Sequence, residues 1–190
     1  MRIIAGQLKG KTLRAPRGMD TRPTSDRLRE SIFNILAFQI HGRLVLDLFA
    51  GTGALGIEAL SRGAESAVFI DRGARAISVI DKNITLCGLA DRATVLKFDI
   101  LKGLHRLRIM GKNFDLVFMD PPYNRNIIRP TLIQLHHSRT VKDGALLVIE
   151  HDEKEAIPED LAAYELTDRR KYGKTGVSFL RYVKQVPSTY

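Results

Sequence analysis

From Leu44 onward, short β-rich apolar runs alternate with stretches whose apolar positions recur at helical spacing. Residues 44–49, 66–71, 93–98, 114–120 and 144–150 read as strands, and helices are expected in the gaps between them. Two of the runs, Leu44-Val45-Leu46-Asp47-Leu48-Phe49 and Leu116-Val117-Phe118-Met119, are apolar at successive positions. Both faces of such a strand must be covered, as in a parallel sheet with helices on each side. The alternation is a βαβ progression and predicts an α/β fold. The last segment breaks the pattern. Residues 163–170 and 177–183, joined by Lys171-Tyr172-Gly173-Lys174-Thr175-Gly176, read as an antiparallel pair, so the sheet should be mixed at one edge.

Before Leu44 the pattern differs. Residues 2–6 and 11–14, separated by Leu8-Lys9-Gly10, read as a small hairpin. Arg22-Pro23-Thr24-Ser25-Asp26 supplies a proline stop and capping residues, and Leu28, Ile32, Ile35 and Leu36 recur at helical spacing, which predicts a helix near 25–38. There is no repeat, low-complexity tract or Ser/Pro linker. The expected organisation is a basic N-terminal hairpin and helix over residues 1–40, followed by one domain over 41–190.

Composition narrows the class. A chain of 190 residues with 44% hydrophobic content can bury its own core. Its apolar stretches stop short of the roughly 18 residues a membrane span needs, and Met1-Arg2-Ile3-Ile4-Ala5-Gly6 lacks the apolar region of a signal peptide. Cys87 is the only cysteine, which excludes an internal disulfide and suits a reducing compartment, so the cytoplasm is expected. The net charge of +9 sits at the ends: residues 1–30 carry eight basic and three acidic side chains, and residues 169–184 carry six basic and none acidic. Basic ends around a near-neutral middle suit a polyanion binder, because phosphate contacts gain affinity through counterion release. A merely solubilising surface would look the same.

The segment Asp47-Leu48-Phe49-Ala50-Gly51-Thr52-Gly53-Ala54-Leu55-Gly56 leaves the first central strand and opens a helix that runs to about Arg62. Gly51, Gly53 and Gly56 satisfy G-x-G-x-x-G, and Asp71 lies 20 residues past Gly51 at the end of the next strand, where a carboxylate would accept from ribose hydroxyls. This predicts a nucleoside cofactor. Asp47 decides which one: its carboxylate would repel a pyrophosphate at the glycine turn, whereas S-adenosylmethionine brings an ammonium and a sulfonium. Asp99, at the end of the third strand, could accept from an adenine amino group while Ile100 packs on the ring or donates its N–H. Asp99 could equally be a helix cap.

Asp120-Pro121-Pro122-Tyr123 ends the fourth strand with an acid, two prolines and an aromatic. Proline locks φ and removes donors, so Asp120 and the turn carbonyls become fixed acceptors at the carboxyl edge of the sheet. Two acceptors on the N–H bonds of an exocyclic amino group would turn its lone pair toward an electrophile, and Tyr123 offers a flat face for the base.

These residues resemble the [D/N]-P-P-[Y/F] signature of S-adenosylmethionine-dependent amino methyltransferases. Arg22-Pro23-Thr24-Ser25-Asp26-Arg27-Leu28-Arg29-Glu30-Ser31-Ile32-Phe33-Asn34, the opening Arg2 to Gly10, the run Phe49 to Ala64 and the tail around Lys171-Tyr172-Gly173 are similar to the RsmD family, across nearly the whole chain. That family methylates the N2 amino group of a guanine in small-subunit ribosomal RNA. The resemblance implies a Rossmann-like class I methyltransferase fold: a seven-stranded, mostly parallel sheet with an antiparallel C-terminal edge hairpin and helices on both faces. It implies S-adenosylmethionine at Asp47, Phe49, Ala50, Gly51, Thr52, Gly53, Asp71, Arg72, Asp99 and Ile100. The target guanine would be flipped out onto Tyr123, with Asp120 and a Pro121 carbonyl orienting its amino group beside Pro122. Arg22, Arg27, Arg125, Arg129, Lys171 and Lys174 become candidate RNA contacts, together with Arg169 and Arg170. The implied partner is small-subunit ribosomal RNA, in or outside an assembling particle.

Three other readings compete. A DNA adenine or cytosine amino methyltransferase could use the same acceptor turn, but 190 residues leave no separate target-recognition domain. A dinucleotide oxidoreductase could use the glycines and Asp71, at the cost of Asp47 and an unexplained Asp120–Tyr123 run. A non-catalytic ribosome-assembly factor could keep the fold for RNA binding alone. His136-His137 and Glu150-His151-Asp152 lack the further ligand spacing of a metal site, and no metal is expected.

Overall fold

Strand β1 (Leu44–Leu48) is buried at its last four positions, so no face of it can meet water and it must lie inside a sheet. In the computed structural model, which describes residues 1–15 and 26–184, it pairs in parallel with β2 (Ser66–Asp71), and β2 pairs in parallel with β3 (Ala93–Lys97). Helices α2 (Ala54–Ser61) and α3 (Ala74–Cys87) connect these strands, and α1 (Asp26–Ile35) precedes them. These elements make up a first compact unit, Met1–Ile100. The second, Leu101–Tyr190, holds β4 (Phe114–Met119), α4 (Ile128–Ser138), β5 (Val141–Asp152), β6 (Tyr164–Tyr172) and β7 (Thr175–Tyr182). There β4 and β5 are parallel, while β7 runs antiparallel to both β5 and β6. The strand order is β3-β2-β1-β4-β5-β7-β6, a seven-stranded mixed sheet, mostly parallel with antiparallel C-terminal strands. The α/β fold expected from the sequence is the one observed.

Three local expectations are corrected. The gap between β3 and β4 carries no α-helix, only 3-10 turns at Ile100–Lys102 and His105–Met110, because Gly103 and Gly111 take left-handed backbone that breaks helical hydrogen bonding. Strand β5 begins at Val141, three residues before the apolar run. Lys142, Asp143 and Gly144 are exposed and read as loop, yet Phe114 N–H donates to Thr140 O at 2.7 Å and Phe114 pairs with Val141 across a register shift. Helix α1 ends at Ile35, earlier than its spacing suggests; Leu28, Ile32 and Leu36 are buried as the period requires, whereas Ile35 of the same set is exposed and Phe33 is buried instead. The capping residues Arg22 to Ser25 lie outside the described residues.

The N-terminal hairpin forms through Ile3 N–H to Lys11 O and Gly10 N–H to Ile3 O, both 2.9 Å, and it buries Ile3 and Leu13. What holds it is polar. Glu58, a buried carboxylate in the otherwise apolar helix α2, accepts from Ile4 N–H at 2.8 Å and Ala5 N–H at 3.0 Å. It also accepts from Arg62 Nε at 2.8 Å and lies 3.9 Å from the buried guanidinium of Arg29 on α1. Ser61 adds a donor to Ala5 O and an acceptor for Leu8 N–H. Asn83 on α3 bonds both the N–H and the C=O of Arg14. The hairpin and α1 are thus bracketed onto the two helices that follow β1 and β2.

Removing Glu58 would leave the buried Arg29 guanidinium with Asp26 and the Arg2 carbonyl as its remaining partners and would strip the Ile4 and Ala5 amides of their acceptor. Glu58→Ala should therefore cost about 3–5 kcal/mol in denaturant unfolding, with the Ile4 and Ala5 amides losing protection from hydrogen exchange. A loss below about 1 kcal/mol would show that the bracket contributes little.

Candidate functional site

The turn from β1 into α2 is built from strained backbone. Phe49, Gly51 and Gly53 all have left-handed φ, at 59°, 56° and 77°. Gly53 N–H closes back onto Ala50 O at 2.7 Å, Ala50 N–H reaches Ile70 O at 3.0 Å, and Ile57 N–H then starts the helix on Gly53 O. A Cβ placed on Gly51 would meet nothing nearer than Phe49 O at 3.8 Å, so the backbone here is open to the approach of a ligand. Gly56 serves packing instead: a Cβ there would fall 2.3 Å from the Phe69 ring of β2.

Two carboxylates secure the turn. Asp47 is buried, and its Oδ2 accepts from Gly56 N–H at 2.9 Å. Burial pushes its carboxyl up to about 8, against the Gly56 hydrogen bond, with the nearby Asp71 charge adding to the rise. Asp71, half-buried at the end of β2, accepts from Gly51 N–H at 3.0 Å and from Gly73 N–H at 2.7 Å. The structure thus brings Asp47, Gly51, Gly53, Gly56 and Asp71 together. Thr52 sits on the same turn, its carbonyl accepting from Asn83 Nδ2 at 2.9 Å, and Arg72 is exposed just past Asp71. Asp99 and buried Ile100 follow β3, with Asp99 immediately before a 3-10 turn.

In the second unit, β4 ends at Met119 and runs into Asp120, which is half-buried. Pro121 is buried, Pro122 is exposed and Tyr123 is half-buried. The Tyr123 hydroxyl donates to Glu150 Oε1 at 2.7 Å. Burial first, and the Glu150 charge next, hold the phenol far above its ordinary range, so it stays a protonated donor. Asn124 follows with left-handed φ, its N–H donating to Glu155 Oε2 at 3.1 Å.

The basic candidates are unevenly placed. Arg27 and Arg125 are exposed, and Arg22 lies outside the described residues. Arg129 meets Asp160 in a two-pronged exposed pair at 2.6 and 2.7 Å, so its charge already has a counterion. Arg170 pairs with Asp168 at 2.8 Å and Lys171 with Glu153, while Lys174 is exposed on the turn between β6 and β7. Both ring nitrogens of His151 have protein partners, Asp152 O and Ser178 Oγ. Four polar residues escape the sequence reading as site partners, Glu150 having stood there only in the rejected metal set: Glu58, Asn83, Glu150 and Glu155. The first three had a signal, a polar side chain inside an apolar helical stripe or strand run; Glu155, in a loop, had none.

Two measurements test this arrangement. Below about pH 8 the folded state keeps a proton on Asp47 that the unfolded chain releases above about pH 4, so the group's contribution to stability falls as pH rises through that window. Asp47→Asn has no proton to lose, and its melting temperature relative to wild type should climb from about pH 5 to pH 8; a pH-independent offset would refute the buried, protonated carboxyl. Gly56→Ala forces a methyl into the Phe69 ring and should cost about 1–3 kcal/mol in denaturant unfolding.

Comparison with known proteins places this architecture. A family model described as Conserved hypothetical protein 95 matches residues 1–181. Bacillus subtilis YlbH is 38% identical over 181 residues, covering 95% of this chain and 98% of that protein. The Escherichia coli protein named Ribosomal RNA small subunit methyltransferase D is 34% identical over 174 residues, covering 92% of this chain and 86% of its own length. Among solved structures, yhhF from Escherichia coli superposes with a TM-score of 0.83 at 32% identity, covering 97% of this chain and 99% of the other. With a family model spanning residues 1–181 and relatives of this identity and coverage, the chain belongs to the Conserved hypothetical protein 95 family, the RsmD family that its motifs resemble.

Proposed function

We propose that this protein is an S-adenosylmethionine-dependent methyltransferase acting on the N2 amino group of a guanine in small-subunit ribosomal RNA. The observation that carries the reading is the Asp120–Tyr123 run: β4 delivers a carboxylate, a rigid proline pair and a half-buried aromatic in succession. The relative's name, Ribosomal RNA small subunit methyltransferase D, supports the substrate class. Residues 1–40 are assigned to a basic extension and 41–190 to the methyltransferase domain.

The first unit's turn fits the cofactor's chemistry. Gly51 leaves backbone open to a ligand, Asp71 presents a carboxylate at the end of β2, and Asp47 supplies a buried carboxyl whose ionised form a bound cation would favour. Phe49, Ala50, Thr52, Gly53, Arg72, Asp99 and Ile100 complete the assigned set. When bound, S-adenosylmethionine supplies an electrophilic methyl group on a sulfonium. Asp120 and the Pro121 carbonyl accept from the N–H bonds of the guanine amine, which turns its lone pair outward, and Pro122 keeps that turn rigid. Tyr123 stacks the flipped base. The amine sheds one proton as it gains the methyl group, to Asp120 or to water. Exposed Arg27, Arg125 and Lys174 are assigned to RNA phosphates together with Arg22, whereas Arg129 and Lys171 must exchange a protein carboxylate for phosphate. The preferred substrate is an assembled or assembling small subunit in the cytoplasm, and no metal is assigned to the reaction. Among the described residues no helix is long and apolar enough to cross a membrane.

The test is methyl transfer from labelled S-adenosylmethionine to small ribosomal subunits lacking the modification, with DNA in parallel and nucleosides identified from digests. N2-methylguanosine in the RNA is the expected product. Label only in DNA, as methyladenine or methylcytosine, would overturn the ribosomal substrate. Asp120→Ala should lower turnover by about 100-fold or more while RNA binding persists; unchanged turnover would remove Asp120 from the chemistry.

A further inference from the structure

The proposed chemistry uses the face of Tyr123 and leaves its hydroxyl unexplained, yet that hydroxyl donates a 2.7 Å hydrogen bond to a buried carboxylate. Its partner, Glu150, lies on β5 between Ile149 and His151 and is only 5% exposed. A carboxylate inside a strand whose neighbours are Leu147, Val148 and Ile149 is costly to bury, and it persists where it accepts hydrogen bonds. The 2.7 Å bond from Tyr123 makes use of it. A second carboxylate shortly after the same strand acts on the next residue: Glu155 accepts from Asn124 N–H, and Glu155 N–H itself donates to Asp152 O at 2.9 Å. The side chain of Tyr123 and the backbone of Asn124 are therefore both tied to the end of β5 and the loop after it.

We propose that Glu150 is a positioning residue: by accepting the Tyr123 hydroxyl it fixes where the ring on which the target base stacks is held. The proposal rests on the reading of Tyr123 as the base platform given above. The phenol oxygen lies on the Cβ–Cγ axis, so a bond to it leaves rotation about that axis to packing but stops the half-buried side chain from swinging about Cα–Cβ. The hydroxyl bond holds the tip. Because burial keeps the phenol protonated, the donor and acceptor roles are fixed, and the hydroxyl takes no part in moving the guanine's proton. Tyrosine at this position is then a ring with a tether, which phenylalanine would lack.

A double-mutant cycle on methyl transfer to small ribosomal subunits tests this, with kcat and KM for the subunits measured at saturating S-adenosylmethionine and melting temperatures recorded for every variant. Glu150→Ala removes the carboxylate end of the tether and Tyr123→Phe removes the tether together with the hydroxyl's interaction with Thr175, so each should lower kcat/KM by about 10-fold, and the double variant should be no worse than the poorer single. Glu150→Gln keeps an acceptor oxygen in place and should recover activity to within about threefold of wild type. The loss should track neither melting temperature nor the affinity for S-adenosylmethionine. Losses that multiply in the double variant, or a Glu150→Gln variant as poor as Glu150→Ala, would overturn the positioning role. Tyr123→Ala separates this from the underlying reading. If removing the whole ring leaves kcat/KM unchanged, Tyr123 is not the base platform and both fall. If Tyr123→Ala is far worse than Tyr123→Phe while the cycle shows no coupling, only the tether is wrong.

Discussion

A turn that goes left-handed at three of five residues, Phe49, Gly51 and Gly53, keeps Ala50 N–H on Ile70 O and Gly53 N–H on Ala50 O, but its Gly51 amide and the Gly56 amide of the helix it opens turn to side chains. Carboxylates stand in for backbone partners there. Asp71 takes the Gly51 and Gly73 amides, and buried Asp47 takes the Gly56 amide. The result is a short strand-to-helix connection whose shape is dictated by two acids on adjacent strands, β1 and β2, joined in parallel register with Asp47 opposite Phe69. Everything assigned to cofactor binding in the first unit hangs on that connection: the open backbone at Gly51, the start of α2 at Gly53 and the close packing of Gly56 on Phe69.

The helices leaving those strands carry a second duty. Glu58 and Ser61 on α2 and Asn83 on α3 hold the N-terminal hairpin, and Asn83 bonds the carbonyls of both Arg14 and Thr52. One buried amide therefore ties the basic N-terminal segment to the glycine turn itself. Buried polar groups of this kind add specificity of placement more than net stability, since each must first be stripped of water. Here they fix where the arm begins relative to the turn.

In the second unit the same logic recurs with different partners. The acceptor run leaves β4, and carboxylates on and after β5 reach it, Glu150 through the Tyr123 hydroxyl and Glu155 through the Asn124 amide. The C-terminal hairpin is basic but not uniformly available. Arg170 and Lys171 are countered by Asp168 and Glu153, which keeps like charges on an edge strand from repelling one another and blunts that edge against pairing with another chain.

The alternation of apolar runs with helical stretches was enough to determine the α/β class, six of the seven strands to within two residues or so, and the antiparallel ending, because those depend on local period and on how many faces a strand must bury. The candidate residues for chemistry were legible as candidates, since glycines, prolines and acids gather at the carboxyl ends of the strands. The tertiary structure decided what those acids hold. Asp47 and Asp71 grip backbone amides of the turn, a fact no spacing encodes, because it depends on φ values and on which strands are neighbours. It also decided that Gly103 and Gly111 break up the segment before β4, that Arg129 faces Asp160, and that Glu58, Asn83 and Glu150 are brackets. A lone polar residue in an apolar run announces in sequence that a partner must exist; only the fold, by bringing residues distant in the chain within 3 Å or so, says which one.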